Sequence, residues 1–133
     1  VRNRVEALFE VCKEHAMLRF PWMRAVQMEF CPLADKQHRK SWRSFAHTNH
    51  SMYTVCFAKA AEKELTDLEI LGVVAHELGH IVGTRLRYPE HAALRNPPHW
   101  KLPAEEEANR IAREVLGFTG LRINQRTLQE LRP

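Results

Sequence analysis

Residues 66–84 read Thr66-Asp-Leu-Glu-Ile-Leu-Gly-Val-Val-Ala-His76-Glu-Leu-Gly-His80-Ile-Val-Gly-Thr84. Thr66 with Glu69 three residues on is a capping box ahead of an apolar run, which predicts a helix from there to about Thr84. At about 100° per residue, Leu68, Leu71, Val74, Ala75, Leu78 and Val82 make its main apolar face. His76 and His80 lie nearly opposite, flanked by Val73 on one side and by Gly72, Gly79 and Gly83 on the other. Glycine inside a helix costs roughly 1 kcal/mol against alanine, so three on one stripe need a packing reason. They predict that a second backbone passes close beside the histidines and covers that face too.

Residues 76–80 form an HExxH motif. The i, i+4 spacing sets two imidazoles one turn apart, where both can bind a single cation, and His76 and His80 are candidate metal ligands. Neutral imidazole nitrogens suit Zn²⁺, and two such ligands leave coordination positions free. Glu77, between them, is the candidate catalytic residue, a carboxylate able to take a proton from water held at the metal. The plainer alternative, two histidines facing solvent, conflicts with the covered face that the glycines predict.

A hydrolytic zinc site needs a third protein ligand. A histidine six residues after His80 would complete one known pattern, but Leu86 stands there although Gly83 fits. His91 and His99 fall in an aperiodic stretch and could reach the metal or face water as loop residues. The next helix, starting at Pro103, presents Ala104, Ala108, Ile111, Ala112, Val115 and Leu116 on its apolar face. Of its three consecutive glutamates, Glu105 lies along the edge of that face, Glu106 points away and Glu107 falls on the opposite margin. Periodicity therefore selects Glu105 as the inward carboxylate, while the helix dipole accounts for acids in a first turn generally.

His76-Glu-Leu-Gly-His80, followed after 24 residues by Glu105-x-x-Ala108-Asn109-x-x-Ala112, resembles the gluzincins, zinc peptidases whose third ligand is a glutamate on the helix after the motif helix. The Glu-x-x-Ala-Asn-x-x-Ala form is most similar to ImmA/IrrE-like metallopeptidases and to minimal soluble gluzincins. The likeness spans roughly residues 52–117. It implies a zincin-like fold, one Zn²⁺ held by His76, His80 and Glu105, Glu77 as general base and acid, and a protein or peptide substrate. It also implies a sheet strand beside the cleft that pairs with extended substrate, with Met52–Ala58 as a candidate.

The 133 residues suit a single domain over 1–133. Val5, Leu8, Phe9, Cys12 and Ala16 recur at helical spacing, which predicts a helix over about 3–19 ended by Pro21. Val26, Met28 and Phe30 alternate with polar neighbours as in a half-buried strand. Trp42–Ala46 and Met52–Ala58 are further strand candidates, joined by a His-Thr-Asn-His-Ser turn. A short helix is expected over Thr127–Leu131. The fold class is α+β: a small twisted antiparallel sheet of about three strands, packed with the HExxH helix and the glutamate-bearing helix.

Twenty Lys and Arg against sixteen Asp and Glu leave a formal charge of +4, too mild to imply nucleic acid without a clustered basic face. The longest apolar run, Ile70–Ala75, is far too short to cross a bilayer, so no membrane partner is expected. Cys12, Cys31 and Cys56 form no CxxC pair and suggest free, buried thiols in a reducing, cytoplasmic compartment. The first twenty residues form no apolar leader core, so a signal peptide is not expected. The chain opens on Val1, as a trimmed piece of a longer protein would.

The expected function is zinc-dependent peptide-bond hydrolysis. Tyr88, His91 and His99 are unranked candidates for stabilising the oxyanion, and Asn109 is a candidate partner for a metal ligand. Two alternatives stay open. One is a non-catalytic zinc-binding regulatory or interaction module, in which Lys36, Arg39, Lys40 and Arg43, with His38 and Trp42 among them, could touch nucleic acid or form a solvated hairpin tip. The other is a latent peptidase whose cleft is covered by Arg85–Lys101 or by a chain end.

Overall fold

The computed structural model describes residues 3–31, 45–49, 52–86, 103–120 and 123. Helix α1 spans Arg4–Met17 and buries Val5, Phe9, Cys12 and Ala16 along one stripe. The Asn3 side chain caps it, accepting from the Glu6 amide at 2.8 Å. Pro21 then opens a single 3₁₀ segment, Pro21–Ala25, which turns the chain into strand β1, Gln27–Phe30. Strands β2 (Ala46–Asn49) and β3 (Thr54–Phe57) follow, then the one-turn helix α2 (Ala61–Glu64). Helix α3 runs Asp67–Arg85, and α4 runs Pro103–Arg110 before passing into a π turn over Ile111–Val115.

The described residues are thus α+β, with a three-stranded sheet in the order β1-β3-β2. The sheet is mixed, which corrects the antiparallel expectation. β1 runs parallel to β3, pairing Gln27 with Thr54 and Phe30 with Phe57, while β2 is antiparallel to β3. Side-chain alternation registers which face of a strand is buried but carries no sign of its neighbour's direction. The second strand also lies later than expected. His47–Asn49, which looks turn-forming, is part of β2 because Cys56, Val55 and Thr54 stand opposite it. Because β3 is hydrogen-bonded on both sides, it cannot be the strand that receives an extended peptide; β2 is the strand beside α3.

Both halves of the Thr66 capping box are made: Glu69 N donates to Thr66 Oγ1 at 3.2 Å and Thr66 N donates to Glu69 Oε1 at 2.8 Å. Beyond that cap, α3 is buried on nearly every side because α1, α4 and β2 all pack on it. Ile70, Val73 and Ile81 are buried alongside the expected Val74, Leu78 and Val82. Leu68 does not belong to the apolar face: it is 67% exposed, in the first turn before the packed part of the helix begins.

The close backbone approach inferred from the glycines occurs at Gly79. A Cβ there would lie 3.0 Å from the Ala108 carbonyl carbon of α4, and nearer still to its oxygen. At the far end of the following turn, Gly117 has φ of +76°, which lets the Phe118 amide reach back to Ala112 O at 2.9 Å. No helix among the described residues is long and apolar enough to cross a membrane. Residues 32–44 and 87–102 lie outside the described residues, and with them the basic segment, Tyr88, His91, His99 and most of the stretch expected to cover a cleft. The short helix expected over 127–131 does as well.

Candidate metal centre

His76, Glu77 and His80 project from the middle of α3, where all three are buried. Glycine at 79 brings α4 against the same stretch, and the first turn of α4 carries Glu105 to the two imidazoles. His80 Nε2 lies 2.6 Å from Glu105 Oε2, and His76 Nε2 lies 3.5 Å from Glu105 Oε1. The two Nε2 atoms are 3.1 Å apart. Two nitrogens bound tetrahedrally to one Zn²⁺ at about 2.05 Å stand roughly 3.3 Å apart, so the donor set fits one such ion. His76, His80 and Glu105 therefore form a group able to hold a metal ion.

The ring orientation of His76 has a cause outside the motif. Its Nδ1 donates to Asn109 Oδ1 at 2.6 Å, which leaves Nε2 directed at His80 and Glu105. Asn109 lies one turn beyond Glu105, so a single helix supplies the acid and the group that orients its imidazole partner. Glu77 is held from the sheet: Thr48 Oγ1 on β2 donates to Glu77 Oε1 at 2.6 Å. Its other oxygen, Oε2, lies 4.0 Å from His76 Nε2.

The electrostatics favour a positive occupant. Burial alone lowers the His76 pKa, but the Glu105 hydrogen bond and the charges of Glu77 and Glu105, helped by Asn109, push it up to about 9. Burial would raise Glu105, yet its hydrogen bonds and charge contacts with His76 and His80 hold it well below the usual carboxylate range. Glu77 is raised, first by burial and then by the like charge of Glu105, against the opposing pull of His76, His80 and Thr48. The partly buried Glu105 carboxylate thus stays ionised beside the imidazoles, and that of Glu77 is made more basic a few ångströms away.

The other acids of the α4 first turn divide differently from expectation. Glu106 is exposed, as its position suggested. Glu107 is buried rather than marginal, and pairs with Arg110. Thr48 was invisible to sequence reasoning, because a hydroxyl in a turn-like segment gives no sign of facing a glutamate 29 positions on. No protein-family model matches the chain, and neither a curated protein sequence nor a solved structure does.

Proposed function

We propose that the chain is a zinc-dependent peptide-bond hydrolase of gluzincin type, with His76, His80 and Glu105 holding one Zn²⁺ and Glu77 acting as general base and acid. The observation that carries this reading is the meeting of three ligand-type atoms with a separately anchored, buried carboxylate. A structural zinc site has no use for that carboxylate, and such sites are commonly closed by four protein ligands. A bound Zn²⁺ would supply Lewis-acid polarisation of the scissile carbonyl and an acidified water.

The residues divide the remaining work. Glu77 takes a proton from the attacking water on Oε2 and delivers it to the leaving amine, while Thr48 keeps Oε1 occupied and the carboxylate oriented. Asn109 holds His76 in the tautomer that offers Nε2. An extended peptide would lie along β2, the strand from which Thr48 reaches the site. The test is Glu77→Gln in the zinc-loaded chain, assayed on a library of unstructured peptides. The variant should keep one zinc at this site and lose hydrolysis. Full activity in the variant, or no cleavage of any peptide by the parent chain, overturns the reading.

A further inference from the structure

Among the described residues a second grouping of side chains able to hold a metal ion lies on the sheet, away from the HExxH helix. Cys31 follows β1, His47 sits on β2 and Cys56 on β3, and one ligand atom from each lies within 4.8 Å of the other two. Strand register explains the gathering. His47 stands directly opposite Cys56 across the antiparallel pair, and Glu29 stands opposite Cys56 across the parallel one. Cys31, two residues beyond Glu29, shares its face of the sheet. Thr48 faces α3, since it touches Glu77, so its neighbour His47 faces the other way. The cluster therefore occupies the opposite side of the sheet from the His76 centre.

We propose that Cys31, His47 and Cys56 form a second metal site, for a single thiophilic cation of the Zn²⁺ class. Two sulfurs and an imidazole nitrogen are the donor set such ions prefer, and a fourth position can be taken by water or another donor. Two thiolates on one tetrahedral ion stand roughly 3.8 Å apart, so small side-chain rotations close the group. Both cysteines are buried free thiols. An ion here would tie all three strands together, one residue from the Thr48 that anchors Glu77. The proposal does not rest on the peptidase reading.

Cobalt(II) added to the full chain, reduced with a phosphine and stripped of metal by chelation, reads this site selectively. Thiolate bound to Co²⁺ gives a near-ultraviolet charge-transfer band, and the His76 centre contains no sulfur. The expected result is a band that saturates at one Co²⁺ per chain, with a second Co²⁺ bound without adding to it. Cys31→Ser and Cys56→Ser should each reduce the band by roughly half, one of two sulfur ligands being lost, and Cys12→Ser should leave it unchanged. Zinc content of the unmutated chain, two per molecule against one, gives a reading that needs no variant. Cobalt binding with no thiolate band, a band unaffected by both serine substitutions, or a native mass showing a Cys31–Cys56 disulfide that resists the phosphine overturns the proposal.

Discussion

Gly79 of α3 and Ala108 of α4 meet backbone to backbone, so closely that no side chain fits between them. This contact sets the distance across which Glu105 reaches the imidazoles, because Glu105 lies one turn before Ala108 and His80 follows Gly79. A local requirement of packing thereby becomes a requirement of the candidate metal centre.

Gly79→Ala should accordingly force the two helices apart. Overpacking of this kind costs about 1–3 kcal/mol, readable as a lower midpoint in denaturant unfolding. Zinc affinity should fall with it, as Glu105 withdraws. A variant with unchanged stability and zinc content would show that the helices are free to separate.

Asn109→Ala removes the acceptor of the His76 Nδ1 proton. Loss of such a partner typically lowers metal affinity by about 10- to 100-fold, measurable by competition with a chromophoric chelator. Asn109→Asp keeps an acceptor oxygen in place and should retain most of the affinity. Equal losses in the two variants would argue against the hydrogen bond as the cause.

Thr48→Val keeps the shape of the side chain but takes the donor from Glu77 Oε1. Zinc content should remain that of the parent while peptide hydrolysis falls by about tenfold or more, since a misdirected base forfeits part of a contribution of 10²–10⁴. Thr48→Ser, which keeps the hydroxyl, should restore the rate. Rate loss accompanied by loss of zinc would place Thr48 in metal retention instead.

Cys12 gives a pH prediction free of the metal centre. The thiol is buried in α1, its Sγ 3.9 Å from Leu71 O, and burial raises its pKa from 9.0 to about 12. Below pH 9 the folded and unfolded chains both keep the proton, and the contribution of Cys12 to stability is complete. Between 9 and 12 the unfolded chain ionises first, so stability drops by up to about 1.4 kcal/mol per pH unit. In Cys12→Ala that component is absent, and the stability gap between parent and variant should narrow by roughly 2 kcal/mol from pH 8 to pH 10.5. A gap constant with pH would show that the thiol titrates alike in both states.

Much of this was legible in the chain because it is local. The capping box starts α3 where Thr66 and Glu69 indicate, and Gly72, Gly79 and Gly83 announce a close neighbour that turns out to be α4 at Gly79. Helical phase sets Glu105 on the inward edge and Glu106 outward, but it gives no sign that Glu107 is buried as well. Leu68 falls on the apolar face by phase yet is exposed, because phase says which side of a helix a residue occupies, not whether another element extends far enough to cover it. The sheet direction and the place of β2 were hidden for a related reason: pairing is a property of two segments, and neither segment carries the other's orientation.

The spacing of His76, Glu77 and His80 on one helix, and the inward phase of Glu105 on the next, follow from covalent order and the period of the helix. The company those residues keep does not. Thr48 reaches Glu77 across 29 positions and Asn109 reaches His76 across 33, while Cys31, His47 and Cys56 gather only through strand register. Such contacts depend on how separate elements dock, and docking is set by the summed burial of the whole core rather than by any one segment.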